Sequence, residues 1–297
     1  MNQLSTNRTL INVIGIPAIL YLLWRGGMGF ALFIFLVMII GLDEFYRMNT
    51  NERQSPVKIT GYIFTGLMAA YYFWLPAITL VQGLSLLACL IIITLFIEMG
   101  RDKLNPTRNM GITVLGIMYV PVLLGSVIAL RNLDTVYSTY FTISMVIAIW
   151  TCDTVAYIFG MKWGKKKIFP RVSPNKSWVG SIAGLVSTFI VFYGLLVQGI
   201  LPDLTLLDVA GFSIITGFFG QVCDFAESLF KRDVGVKDSG KLLLGHGGVL
   251  DRFDSITFAS PLTYAYITII YYPKLVKPCC YNRSWQPIAV VLQPKRF

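Results

Sequence analysis

The feature that most constrains this chain is a succession of apolar segments, each about as long as a helix that crosses a lipid bilayer. Nine such segments can be marked, at 10–24, 28–42, 60–75, 77–98, 112–130, 140–160, 178–199, 208–230 and 256–272. The third and fourth are divided only at Leu75-Pro76 and can also be read as one long broken element, so the count is eight or nine. Charged residues make up only 13% of the chain, about half of what soluble domains carry. The sequence therefore predicts an all-α, polytopic membrane bundle.

The basic residues are distributed unevenly between the polar loops. If the nine segments alternate across the membrane, 18 Lys and Arg fall on one side, in the N-terminus and in loops 43–59, 100–111, 161–177 and 231–255. The opposite loops hold only Arg25 and Arg131, and the remaining five basic residues lie in the tail after Tyr272. The tail falls on that opposite side if the span count is odd, so either the count is even or the tail is atypical. Positive charge marks the cytoplasmic side, so we expect the two largest polar loops to face the cytoplasm. This asymmetry accounts for much of the net charge of +10. The chain has no stripe of basic residues with interleaved aromatics, so the charge does not indicate nucleic-acid binding.

A charge inside an apolar segment is costly and is by default a functional candidate. Two such acids are Asp153 and Asp224, and Glu227, three residues after Asp224, lies close to the same helical face. Asp153 stands in TCDTVAYIFG, and Asp224 stands in the segment that runs from Asp208 to Phe230. Ser228 and Lys231 follow Asp224 by four and seven residues and so share its helical face. Each acid could instead be a buried hydrogen-bond partner between helices. The position of Asp224, directly before the most polar stretch of the chain, favours function.

That stretch, SLFKRDVGVKDSGKLLLGHGGVLDRFDS, has the composition of a phosphate and metal site. Its glycines allow backbone N–H groups to approach a phosphate, and its Lys and Arg neutralise phosphate charge. Asp251 and Asp254 lie on one face if a helix begins there, and carboxylates are ligands that Mg²⁺ prefers. The alternative is a solvated loop in which Asp254 or Ser255 caps the last helix.

A second polar stretch, MKWGKKKIFPRVSPNKSWVGS, precedes the segment at 178–199. Its six basic residues are typical of a cytoplasmic loop. The residues from Ser173 to Ser177 also have the pattern of a helix N-terminus.

Together these residues resemble the signature of the phosphatidate cytidylyltransferases, also called CDP-diacylglycerol synthases. The pattern is Ser-x-x-Lys-Arg, four residues, Lys-Asp, then His-Gly-Gly and Asp-Arg-x-Asp. Here it is formed by Ser228, Lys231, Arg232, Lys237, Asp238, His246, Gly247, Gly248, Asp251, Arg252 and Asp254. DTVAYIFG from Asp153 and SPNKSWVG from Ser173 resemble two further blocks of that family, and the resemblance spans residues 150–260. The chain departs from the family pattern at Val179, Cys223 and Leu244, where Glu, Gly and Pro are usual.

The resemblance implies the transfer of the cytidylyl group of CTP to phosphatidic acid. It implies a catalytic set of Asp224, Lys231, Arg232, Lys237, Asp238, His246, Asp251, Arg252 and Asp254. Asp224 and Asp251 would be the principal Mg²⁺ ligands with Asp254 assisting, whereas Lys231, Arg232 and Lys237 would hold the triphosphate and Asp238 and His246 would orient the site. The substrate-binding set would be Asp153, Ser173, Lys176, Ser228, Gly247 and Gly248.

The implied organisation is N-terminal transmembrane helices in 1–140, a catalytic region in 141–272 with its signature at 228–254, and an atypical tail at 273–297. The active-site cavity would face the cytoplasm from an inner or plasma membrane. Expected partners are CTP, phosphatidic acid and membrane lipids, with Mg²⁺ or a similar divalent cation as cofactor, and a homodimer is left open. The alternatives are a cytidylyltransferase for another lipid phosphate, a transporter that uses the intramembrane acids, and a non-catalytic scaffold.

Overall fold

The fold is an assembly of long helices joined by short loops. The computed structural model describes residues 3–74, 80–133, 137–201, 204–240, 242 and 247–272. In these ranges the helices are α1 Gln3–Arg25, α2 Gly27–Met48, α3 Lys58–Trp74, α4 Leu80–Met99, α5 Pro106–Arg131, α6 Ser138–Trp163, α7 Trp178–Val197, α8 Leu206–Asp233 and α9 Leu250–Tyr266. A π-helical turn, Ile267–Tyr271, extends α9.

Each of the nine apolar segments overlaps one of these helices, so the predicted all-helical fold is confirmed for the described residues. Five of them, α2, α5, α6, α7 and α8, are long and apolar enough to cross a membrane. Shorter apolar helical stretches occur at Gly15–Arg25 and Ser85–Met99. The helices α3 and α4 line the two sides of one apolar cavity of about 630 Å³. They are therefore separate helices that lie side by side, rather than one long broken element.

The buried core lies where α2, α5, α6, α8 and α9 meet. Met38, Val120, Met145, Val209 and Ala259 contribute one fully buried side chain from each of these helices. Other helices, such as α3, α4 and α7, instead expose large apolar side chains on their surfaces. Such an exposed apolar surface is unfavourable in water and is suited to lipid.

Glycines allow α6 and α7 to pack closely. A Cβ on Gly184 would lie 2.8 Å from the Cys152 sulfur, and one on Gly180 would lie 2.5 Å from the carbonyl oxygen of Ala156. Small residues at such contacts let helix backbones approach one another in membranes. This packing brings the polar residues at the ends of α6 and α7 together.

Helix α9 begins before Asp254 and Ser255, which the sequence offered as its N-cap. Because α9 begins at Leu250, Asp251 and Asp254 lie within its first turns and neither Asp254 nor Ser255 is its N-cap. The capping interpretation of Asp254 is therefore wrong, and the shared face of Asp251 and Asp254 is what the helix provides. The predicted tail, 273–297, lies outside the described residues.

Candidate active site

A polar groove of about 650 Å³ lies between α6, the loop before α7, and α8. It is lined by residues of the two shorter sequence blocks, among them Asp153, Ser173 and Lys176, and by Gln221 and Asp224 of α8, which precede the third block. The groove therefore brings together residues that are up to 71 positions apart in the sequence. Polar and charged groups of three helices meet in this groove.

Asp224 is the central acid of this groove. It forms an ion pair with the Lys176 ammonium, which also lies 4.7 Å from the centre of the Phe225 ring. Asp153 and Asp254 both lie near enough to Asp224 for their carboxylates to repel it. Asp224 is thus within electrostatic reach of two other acids and is itself paired with Lys176.

The loop before α7 is held in place by capping and by α8. Ser177 is the N-cap of α7, and its hydroxyl accepts a hydrogen bond from the Gly180 N–H at 3.3 Å, as the sequence predicted. From α8, Arg232 donates from Nε to the Val172 carbonyl at 3.4 Å. These contacts fix the loop that carries Ser173 and Lys176 beside Asp224.

About two turns beyond Asp224 along α8, Lys231 links α8 to α9. Its ammonium lies 2.6 Å from Asp251 Oδ1 and 3.4 Å from Glu227 Oε1, and its side chain is only 11% exposed. A cation so deeply placed requires compensating anions. Lys231, which the resemblance assigned to the triphosphate, and Asp251, which it assigned to Mg²⁺, are thus partners of each other.

Asp251 also organises the turn before α9. Its carboxylate accepts hydrogen bonds from the Gly248 N–H at 2.7 Å and from the Ser239 N–H at 3.0 Å. Burial raises the pKa of Asp251, but the hydrogen bonds from Lys231 and Gly248 outweigh it and hold the pKa below its usual range. Gly247 has φ +81°, and a Cβ there would lie 2.6 Å from Asp251 Oδ2. Only glycine fits this turn without strain.

Glu227 is the least satisfied acid of the site. Its side chain is fully buried, and within the described residues no hydrogen bond reaches either of its carboxylate oxygens. It lies beside Asp254 and is 3.4 Å from Lys231. A buried carboxylate without hydrogen bonds is costly, and such a group suits a divalent cation that would compensate its charge.

The carboxylates nevertheless approach one another mainly in pairs. Among the described residues, no three His, Cys, Asp or Glu side chains converge as a preformed metal-binding group. Mg²⁺ commonly uses only one or two protein carboxylates and completes its shell with water and substrate phosphates. The donors of this site therefore fit Mg²⁺ in chemical type, without forming a complete protein cage.

The remaining predicted residues lie at the rim or outside the described part. Arg232, Lys237, Asp238 and Arg252 are exposed around the turns that flank α8 and α9, and Ser228 is half-buried on α8. Arg232 points towards Val172 rather than towards its neighbour Lys231. The prediction for His246 lies outside the described residues, as does Leu244.

The sequence analysis did not identify Glu44 and assigned no role to Glu227. Glu44 on α2 accepts hydrogen bonds from the Ser239 hydroxyl and from the N–H groups of Val249 and Leu250. Its sequence signal was an acid at the end of an apolar segment, in GLDEFY. Glu227 was noted close to the face of Asp224 but received no role. Gln221, also unassigned, donates to the carbonyls of Gly217 and Ser181 and joins α8 to α7.

Comparison with known proteins places the sequence in a family. The sequence matches the cytidylyltransferase family over residues 6–270. It is 36% identical over 262 residues to a phosphatidate cytidylyltransferase of Staphylococcus haemolyticus, covering 86% of this chain and 96% of that protein. It is 32% identical over 267 residues to the phosphatidate cytidylyltransferase of Bacillus subtilis, covering 86% and 95%, and 31% identical over 255 residues to that of Staphylococcus aureus, covering 86% and 96%. The chain with this groove therefore belongs to the cytidylyltransferase family.

Proposed function

We propose that this protein transfers the cytidylyl group of CTP to phosphatidic acid, giving CDP-diacylglycerol and pyrophosphate for phospholipid biosynthesis. A phosphate oxygen of phosphatidic acid attacks the α-phosphorus of CTP. The new P–O bond joins the lipid phosphate to CMP, and the bond from the α-phosphorus to the oxygen that bridges to the β-phosphate breaks. The electron pair leaves with pyrophosphate. Because the lipid phosphate is already anionic at neutral pH, the reaction needs no strong general base.

The observation that carries this proposal is a charged groove built into apolar membrane helices. A lipid substrate needs its phosphate to reach polar groups while its acyl chains stay in lipid, and a groove bordered by α6, α7 and α8 offers both surroundings. Lys176, held against Asp224, provides the cation for a lipid phosphate. Ser173, on the same wall, provides a hydroxyl.

The nucleotide side of the proposed site lies towards Lys231 and the turn before α9. Asp251 accepts hydrogen bonds from both the Gly248 N–H and Lys231, so it holds the Lys231 ammonium beside this turn. Arg232 and Lys237 are exposed at the rim of the same region and can meet a triphosphate as it approaches. These cations stabilise the charge that accumulates on the departing pyrophosphate.

We assign a divalent cation such as Mg²⁺ to the acids between these two sides. Asp224 and Asp251 would be the principal ligands, Asp254 would assist, and Glu227, whose oxygens accept no hydrogen bond, would lie beside them. A bound Mg²⁺ would neutralise phosphate charge and orient the reacting groups. The residues of the chain hold the lipid phosphate, align the α-phosphorus and exclude bulk water.

The charge distribution supports a multi-pass orientation in the cell membrane with the groove opening to the cytoplasm. The loops around the groove are those that hold most of the 18 Lys and Arg on one side. Membrane-impermeant thiol labelling of single cysteines tests this orientation. Cysteine at Lys166 should react only from the cytoplasmic side and cysteine at Asn132 only from the opposite side. The reverse pattern would contradict it. A homodimer stays a prediction, for which the mass of the detergent-purified protein is the measurement.

The activity itself is tested with purified protein in detergent, radiolabelled CTP and a series of lipid phosphates. Phosphatidic acid should yield chloroform-extractable label, and EDTA should abolish the yield until excess Mg²⁺ is restored. Label that appears only with another lipid phosphate would correct the substrate. Folded protein that gives no labelled lipid with any of them would overturn the proposal and favour the transporter or scaffold interpretations.

A further inference from the structure

Glu44 is a buried carboxylate of the N-terminal half that reaches the candidate active site. It lies near the end of α2 and is only 6% exposed. Its Oε1 accepts from the Val249 N–H at 3.0 Å, and its Oε2 accepts from the Leu250 N–H at 2.9 Å and the Ser239 hydroxyl at 3.1 Å. The partners are about 200 positions away in the sequence. Both carboxylate oxygens of Glu44 are thus used to hold one turn.

These contacts replace a cap that α9 lacks. The first N–H groups of any helix have no partner within the helix and need an acceptor. No side chain of the residue before α9 caps it, and the N–H groups of Val249 and Leu250 lie at its start. A carboxylate there satisfies the N–H groups and interacts favourably with the helix dipole. Glu44 therefore caps α9 from another helix.

The glycines of this turn lie directly against the Glu44 carboxylate. Gly240 and Gly248 have no room for a Cβ, because in each case the nearest side-chain atoms include the carboxylate of Glu44. Glu44 from α2 and Asp251 from α9 both accept hydrogen bonds from this segment, and both accept one from Ser239. Where α9 begins determines where Asp251 points, and Asp251 is the partner of Lys231.

We infer that Glu44 is a positioning residue for the cytidylyl-transfer site: it fixes the start of α9 and thereby aims Asp251 and the Gly247-Gly248 turn at the substrates. This inference rests on the proposed function for its catalytic consequence. Its structural part, the hold on Ser239, Val249 and Leu250, stands without it. Glu44 itself acts through these groups and contacts no reacting atom.

The test compares Glu44→Gln with Glu98→Gln in the full-length protein in detergent. Glutamine keeps the size of Glu44, but its NH₂ group would face one of the N–H donors that the carboxylate accepts. Glu98 is a matched control, because it is also buried, at 4% exposure, and has two partners, Arg101 and Asn109, that lie outside the site. The readouts are kcat and KM for CTP, thermal stability, and amide hydrogen exchange of peptides within 239–250.

Glu44→Gln should lower kcat/KM at least tenfold at a temperature well below its melting point and should speed exchange in 239–250 selectively. Glu98→Gln should lower stability comparably while changing kcat/KM less than threefold and leaving exchange in 239–250 as in the wild type. Loss of stability in Glu44→Gln with wild-type kcat/KM, or exchange that rises evenly over the whole chain, would overturn the inference.

A milder variant keeps the test decisive if Glu44→Gln does not fold. Ser239→Ala removes one of the three donors to Glu44, and it should speed exchange at Val249 and Leu250 and lower kcat/KM several-fold. Unchanged exchange and turnover in Ser239→Ala would count against the inference. If the wild-type protein makes no CDP-lipid, the proposed function fails, whereas the exchange comparison still decides whether Glu44 holds the turn.

Discussion

The ion pair between Lys231 and Asp251 gives the sharpest prediction for a single substitution. Asp251→Asn keeps the size of the side chain and one oxygen, which can still accept from the Gly248 N–H. The new NH₂ group faces the Lys231 ammonium, 2.6 Å from the present oxygen, so a donor meets a donor. The charge-assisted hydrogen bond between α8 and α9 is lost.

The magnitude follows from what remains near Lys231. Removing one partner of a fully buried ion pair costs about 3–5 kcal/mol. Here Glu227 stays 3.4 Å from the ammonium, so the loss is closer to one charge-assisted hydrogen bond, about 1.5–3 kcal/mol. If that energy is lost from the transition state, kcat/KM falls about tenfold to about a hundredfold, because a factor of ten corresponds to roughly 1.4 kcal/mol.

The assay is the formation of labelled CDP-lipid at several CTP concentrations, together with thermal unfolding of both proteins. Asp43→Asn is the control, since Asp43 pairs with Arg47 and Lys58 at the protein surface, where such pairs contribute about 0–1 kcal/mol. It should stay within about twofold of the wild type. An Asp251→Asn protein with wild-type kcat/KM would refute the reasoning that this pair is part of the active geometry.

Three further substitutions test other parts of the account. Lys176→Ala removes the cation against Asp224 and should raise the KM for phosphatidic acid at least tenfold in a mixed-micelle assay, and an unchanged KM would remove Lys176 from the lipid site. Gly247→Ala places a Cβ in a left-handed turn, at a cost of about 1–2 kcal/mol, and should lower both the melting temperature and kcat/KM; turnover equal to the wild type would show that the turn is not required. Gly184→Leu overfills the contact with Cys152 and should destabilise the protein by about 1–3 kcal/mol, measured by thermal unfolding in detergent. Gly194→Leu on the same helix has open space around it and should not destabilise the protein. Equal effects of the two substitutions would contradict the packing of α6 on α7.

The helices could be predicted from the sequence because the length of an apolar run is a local property. A segment that must satisfy its backbone hydrogen bonds within lipid forms a helix, so each predicted segment overlaps a helix. The division between α3 and α4 could not be decided, because Pro76 permits both a kink and a loop. Only their shared cavity shows that they lie side by side.

The site was predictable where its residues are close in sequence and not where they come from afar. Lys231 and Asp224 share a face of α8, and the signature placed Asp251 near them. The pairing of Lys176 with Asp224 and of Lys231 with Asp251 depends on how α7, α8 and α9 pack, which spacing along the chain does not reveal.

Glu44 shows the same limit more strongly. A resemblance that covers residues 150–260 gives no reason to look at α2. An acid at the end of an apolar segment is as consistent with a solvated helix terminus as with a buried cap. Only the position of the turn at 239–250 against α2 makes Glu44 part of the site.

The measurement that tests the central claim most directly uses CTP labelled at two different positions. Purified protein is given phosphatidic acid, Mg²⁺ and either α-³²P- or γ-³²P-labelled CTP, and lipid and aqueous products are separated. Transfer of a cytidylyl group predicts that the α-label enters the lipid and the γ-label appears in pyrophosphate, in equal molar amounts. Entry of the γ-label into lipid would show phosphoryl transfer instead, and release of either label without labelled lipid would show hydrolysis; each result would contradict the account.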